Sequence, residues 1–149
     1  MKRVYLALIL LTVISDQITK YLTDKLINPA GSIEVLPFLH FVNLRNKGAA
    51  FGMFKSFGNE GFIIISILAI AVVIFMLIRG KEDMLGLSLI LGGAIGNLID
   101  RLYYGSVRDF VDVFAGKFHW PAFNIADSAL TIGIAIIFMS LFKSKGKKA

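Results

Sequence analysis

Four long apolar stretches divide this chain of 149 residues, and each approaches the length that crosses a bilayer. Phe62 to Ile78 carries no charge. Val4 to Ser15 is apolar and continues in helix-compatible sequence through Asp16, Gln17 and Lys20 to about Leu22. Met84 to Ile99 is apolar and glycine-rich, then meets Asp100 and Arg101. Trp120 to Phe142 is interrupted by one charge, Asp127. Backbone inside lipid must satisfy its own hydrogen bonds, so runs of this kind predict helices. The expected spans are 4–22, 61–78, 84–104 and 120–142, in one integral membrane domain. A hydrophobic content of 56% agrees, since soluble domains sit near ~45–50%.

A cleaved signal peptide is the competing reading of the first stretch. No small-residue cleavage site follows it, and Asp16 and Lys20 stand where one would lie. Basic residues crowd the N-terminal tail (Lys2, Arg3), the turn at Arg79 and Lys81, and the C-terminal tail (Lys143, Lys145, Lys147, Lys148). With four spans these segments share one side, which predicts cytoplasmic termini. The same clustering accounts for the net charge of +6 without nucleic acid as a partner. The two outer connections are then residues 23–61 and 105–119. Within the first, Ile33 to Leu44 mixes β-branched and aromatic residues around Pro37 and predicts one or two short strands.

Orientation also sets depth. Asp16 and Lys20 fall in the outer half of the first helix, and Asn97, Asp100 and Arg101 near the outer end of the third. In a fourth helix running inward from residue 120, Asp127 would lie roughly 10 Å down, with Asn124, Ser128 and Thr131 on its face. Gly92 and Gly96 form a GxxxG step suited to close helix approach. Ionisable groups in a membrane are costly, so they are either paired or functional. Asp16 with Lys20, and Asp100 with Arg101, read as charge pairs; Asp127 has no basic residue within a turn of its own helix. His119 and Trp120 read as interfacial anchors, and His40 as surface or packing.

Chemistry is narrowed by what is missing. With no cysteine, and with His40 and His119 in no metal spacing, thiol chemistry is excluded and neither a metal site nor a cofactor is expected. Ser128 has no positioned histidine and no GxSxG setting. Two carboxylates sharing a proton remain, the chemistry of an aspartic protease. Asp127 is one; Asp16, Asp100, Asp109 and Asp112 all stay open as the other, because spacing does not rank them. A proton-coupled transporter would also bury Asp, Lys and Asn, but near the midplane between repeated halves, and these halves do not repeat.

Five motifs occur in order: Asp16-Gln17-Ile18-Thr19-Lys20, Asn46-Lys47-Gly48-Ala49-Ala50-Phe51, the run from Gly92 to Arg101, the run from Gly105 to Asp112, and Phe123-Asn124-Ile125-Ala126-Asp127-Ser128. Over nearly its whole length the chain thereby resembles the lipoprotein signal peptidases of bacteria. The resemblance implies a catalytic pair of Asp109 and Asp127, with Asp16, Lys20, Asn46, Gly48, Asn97, Asp100, Arg101, Asn124 and Ala126 supporting or lining the site. It implies a membrane all-α fold, a four-transmembrane-helix bundle with a small extracytoplasmic β-sheet and a short surface helix. Residues 33–44 suit the sheet, and residues 48–57 the surface arm. The implied substrates are diacylglyceryl-modified prolipoproteins, cut just before the lipid-bearing cysteine. The implied setting is the bacterial inner membrane, with the site on the extracytoplasmic side, membrane lipid around it, and globomycin-type cyclic peptides as inhibitors. Arg108 departs from an apolar preference in the family, and a charge there would be expected to lower the pKa of Asp109.

Overall fold

The computed structural model describes residues 3–29, 31–48, 58–80 and 83–146. Four helices, α1 (Arg3–Leu26), α2 (Gly58–Arg79), α3 (Met84–Tyr104) and α4 (Ile125–Gly146), form the bundle. Each is long and apolar enough to cross a membrane. The surface arm expected at 48–57 lies, beyond Gly48, outside the described residues.

The bundle is built around α3, which packs against each of the other three helices. Lipid gives apolar side chains no reason to leave it, so helices associate through close backbone approach and polar contacts. The glycines of α3 divide that work by face. A Cβ on Gly92 would sit 2.8 Å from the Thr12 Cβ of α1, and one on Gly96 would sit 2.7 Å from Asp16 Oδ2. A Cβ on Gly93 would collide with the Ala126 carbonyl oxygen of α4, and one on Gly86 would sit 2.9 Å from the Gly133 carbonyl oxygen. The GxxxG step therefore seats α1, while Gly86 and Gly93 seat α4. At its start α3 is capped by Asp83, whose carboxylate accepts from Leu85 and Gly86 N–H. It ends at Gly105, in the left-handed conformation at φ 67°.

Between α1 and α2 come β1 (Ser32–Leu36) and β2 (Leu39–Asn46); between α3 and α4 come β3 (Val107–Ala115) and β4 (Phe118–His119). They form one antiparallel sheet in the order β1-β2-β3-β4. The strands expected within 33–44 are present as a hairpin, but half of the sheet comes from residues 105–119, which the sequence marks only as a connection. This second half is hidden in the sequence because β3 is buried along most of its length and does not alternate visibly.

The core is two-part along the bundle. At the end away from the sheet, Ile9, Val73, Leu77, Leu87 and Leu91 form an apolar cluster. At the sheet end the buried side chains include Asp16, Lys20, Asp100, Arg101, Arg108, Asp109 and Asn124, beside apolar Val42, Val107 and Phe110. The fourth helix also begins later than residue 120. Asn124 is its N-cap: Asn124 Oδ1 accepts from Asp127 N–H at 2.8 Å, and Asp127 Oδ2 accepts from Asn124 N–H at 3.3 Å. This reciprocal capping box places Asp127 in the first turn, within ~5 Å of the start of the helix rather than roughly 10 Å along it.

Candidate active site

Asp109 and Asp127 arrive from different elements and meet around one residue, Asn124. Asn124 Nδ2 donates to Asp109 Oδ1 at 2.7 Å, while the backbone N–H and side-chain oxygen of the same residue engage Asp127. Asp109 Oδ2 accepts from Asn46 Nδ2 at 2.9 Å, and Asp127 Oδ1 accepts from Asn97 Nδ2 at 2.8 Å. Neither carboxylate makes a salt bridge among the described residues. Burial, reinforced by the nearby Asp127, pushes Asp109 up to about 7, against the pull of its two amide donors.

The other carboxylates at this end are held by basic side chains. Lys20 Nζ lies 2.8 Å from Asp16 and 3.3 Å from Asp100. Arg108 reaches Asp100 at 2.7 Å and Asp24 at 3.2 Å, and its backbone N–H donates to Asp100 Oδ2 at 2.8 Å. Asp112 is bound to His119 at 2.9 Å. Of the four partners left open for Asp127, only Asp109 is therefore without a basic partner among the described residues, and Asn124 donates to both, through its side chain and its backbone N–H respectively. Asp16 also reaches the last helix. Its Oδ1 accepts from Ala126 N–H at 3.0 Å, so a carboxylate of α1 stabilises the positive start of α4.

Two expectations are corrected. Asp100 pairs with Arg108 and Lys20, not with Arg101. Arg101 instead donates to the Gly48 carbonyl at 3.0 Å and lies over the Phe62 ring, 4.3 Å from its centroid. Successive residues of a strand point to opposite faces, so Arg108 turns away from Asp109 toward α1 and α3. There Asp100 outweighs burial and raises the Arg108 pKa, and Arg108 does not depress that of Asp109.

Every residue expected at the site sits at this end. Asn46, Gly48, Asn97, Arg101 and Asp127 line a cavity of about 720 Å³ that continues along Leu130, Thr131 and Ile132 of α4 and is bordered by Trp120. Asp16, Lys20 and Asp100 lie behind it, fully buried. Ala126 is fully buried against Gly96, where its methyl is near the largest group that fits. Gln17, within the first motif but given no role by it, ties this layer together. Its Nε2 donates to Asp16, the Gly96 carbonyl and Asp100, and its Oε1 accepts from Arg108. The sequence signal for it is its place between Asp16 and Lys20. Among the described residues no group of His, Cys, Asp and Glu could hold a metal ion.

The family description Signal peptidase (SPase) II matches residues 8–143. A lipoprotein signal peptidase of Thermodesulfovibrio yellowstonii is 48% identical over 86% of this chain and 87% of its own length. One from Geobacter sulfurreducens is 38% identical over 99% and 96%. A solved bacterial membrane enzyme, 34% identical, superposes with a TM-score of 0.92 over 100% of this chain and 93% of its own. The chain is a multi-pass membrane peptidase and belongs to the signal peptidase II family.

Proposed function

We propose that this peptidase is of the aspartic type, with Asp109 and Asp127 as its catalytic pair. It removes the signal peptide of diacylglyceryl-modified prolipoproteins by hydrolysis just before the lipidated cysteine. The observation that carries the reading is the contrast among carboxylates. Asp16, Asp24, Asp100 and Asp112 are each bound to a basic side chain, whereas the Asp109 and Asp127 carboxylates accept, among the described residues, only from neutral N–H donors, with Asn124 serving both, and Asp127 lines the cavity.

One proton on such a pair suffices for the reaction. The ionised carboxylate takes a proton from water as its oxygen attacks the scissile carbonyl carbon. The protonated carboxyl hydrogen-bonds the carbonyl oxygen in the tetrahedral intermediate. As the C–N bond breaks, the proton taken from water passes to the departing amine. An extended substrate backbone must lose hydration here, and the amides and guanidinium lining the cavity offer replacement partners. The flank formed by Leu130 and Ile132 suits the apolar part of a membrane-anchored substrate. Cytoplasmic termini and an extracytoplasmic site follow from the clustered lysines and arginines.

The transporter reading finds no support in these relatives. Cleavage of a purified lipidated prolipoprotein tests the proposal. Asp109→Asn and Asp127→Asn should each abolish turnover in folded protein, because an amide cannot take the proton from water. Full activity in either variant overturns the pair.

A further inference from the structure

We infer that Lys20 is a positioning residue. It orients the Asn97 amide toward Asp127, and so biases the proton of the carboxylate pair toward Asp109. The inference rests on the aspartic reading above.

Lys20 is fully buried in α1, and its Nζ is held by Asp16 and Asp100 and lies 3.1 Å from Asn97 Oδ1. An ammonium only donates, so the Asn97 atom that faces it must be the carbonyl oxygen. The amide nitrogen is thereby turned to Asp127 Oδ1, at 2.8 Å. A second donor, Asn124 Nδ2, meets the same Asn97 oxygen at 3.3 Å. Reversing the amide would set its NH2 against the ammonium and the Asn124 amide, and its oxygen against the Asp127 carboxylate. Lys20 thus acts on Asp127 through a neutral group. The carboxylate keeps a donor that favours its ionised form, yet is not clamped by a cation and stays able to accept a proton.

Among the described residues Asp109 has no equivalent. Its donors, Asn46 and Asn124, are oriented by backbone N–H groups: Gly48 N–H on Asn46 Oδ1 at 2.9 Å, and Asp127 N–H on Asn124 Oδ1 at 2.8 Å. Asp127 also stands in the first turn of α4, where the helix dipole favours negative charge. The charged groups facing Asp127 are Asp16 and Lys20 from α1, Arg101 from α3 and Asp109 from β3. Asp16 is neutralised by Lys20, and Arg101 and the through-space charge of Lys20 act on both members of the pair, so none of these distinguishes them. The Lys20–Asn97 contact does.

The test is the pH profile of kcat/KM for lipidated prolipoprotein with Lys20→Met, Asn97→Ala and the double variant. Loss of the donor should move the acid limb toward neutral pH by about one to two units, the range for a hydrogen bond to a charged group. The fall should be about tenfold or more, mainly in kcat. The double variant should be no worse than the poorer single one, since both act through one contact. A folded Lys20→Met protein with an unmoved profile, or fully additive losses, overturns the inference. If Lys20→Met does not fold, Asn97→Ala decides alone: an unmoved acid limb overturns it. Asp109→Asn and Asp127→Asn in the same assay separate the two failures. If both are inactive while the limb stays put, only the role of Lys20 falls; if either is active, the pair itself falls.

Discussion

Replacing Asp109 should stabilise the protein in a pH-dependent way while removing its activity. An ordinary aspartate ionises near 3.8, whereas burial and Asp127 hold Asp109 up to about 7. As pH rises, the unfolded chain therefore releases this proton first. The folded state loses stability progressively between about pH 4 and about pH 7, and above that the loss is complete. Roughly three units at ~1.36 kcal/mol each make about 4 kcal/mol. At 3% exposure the side chain is too deep for solvent to screen much of this. The proton belongs to the coupled pair, and Asp109→Asn removes both the titrating group and its repulsion of Asp127. The substitution also has a cost that does not vary with pH. Asn46 and Asn124 both donate to the carboxylate, and an amide can accept only one of them, which costs about 1–3 kcal/mol. The readout is therefore a difference of slopes. Unfolding free energies of detergent-solubilised wild type and Asp109→Asn, from denaturant titrations at about pH 4, 6 and 8, should diverge by about 4 kcal/mol in favour of the variant as pH rises. Parallel curves would refute the reasoning, because Asp109 would then titrate alike in both states.

Asp100→Asn should destabilise the fold by ~3–5 kcal/mol in the same titration, because Lys20 and Arg108 would lose a shared buried counter-charge; a change below about 1 kcal/mol would show the network to be dispensable. Gly93→Ala would drive a Cβ into the Ala126 carbonyl and force apart the helices at the turn that carries Asp127. A stability loss of ~1–3 kcal/mol and a kcat loss of ~100-fold are expected, and unchanged kcat would mean that this turn tolerates displacement. Single cysteines at positions 81 and 117 of this cysteine-free chain should react with an impermeant reagent from the cytoplasmic and external sides respectively, and external labelling at 81 would reverse the orientation. A precursor lacking the diacylglyceryl group should be cleaved far more slowly than its lipidated form, since two acyl chains anchor the cysteine at the membrane surface, at ~0.8 kcal/mol per buried methylene. Comparable initial rates would instead indicate a general signal-peptide protease.

The sequence by itself determined the four helices, the gathering of their polar residues toward one end, the seam at Gly92 and Gly96, and, through five ordered motifs, the family. These features are legible because lipid imposes its constraint locally: each spanning segment must satisfy its own backbone and present apolar side chains, whatever it packs against. The partners of the buried charges were decided only in three dimensions. Asp100 adjoins Arg101 in sequence yet pairs with Arg108, since the chain reverses at Gly105 and β3 turns alternate side chains to opposite faces. Asp16 accepts from the N–H of Ala126, 110 residues later in the first turn of α4, and Asn97 joins Lys20 of α1 to Asp127 of α4. The late start of α4, with Asn124 as its cap, was likewise decided there. The pairing of a buried ion depends on which groups share its low-dielectric neighbourhood, and helix crossings and strand register create that neighbourhood. The same long-range geometry leaves Asp109 and Asp127 without a salt bridge among the described residues while their neighbours are clamped.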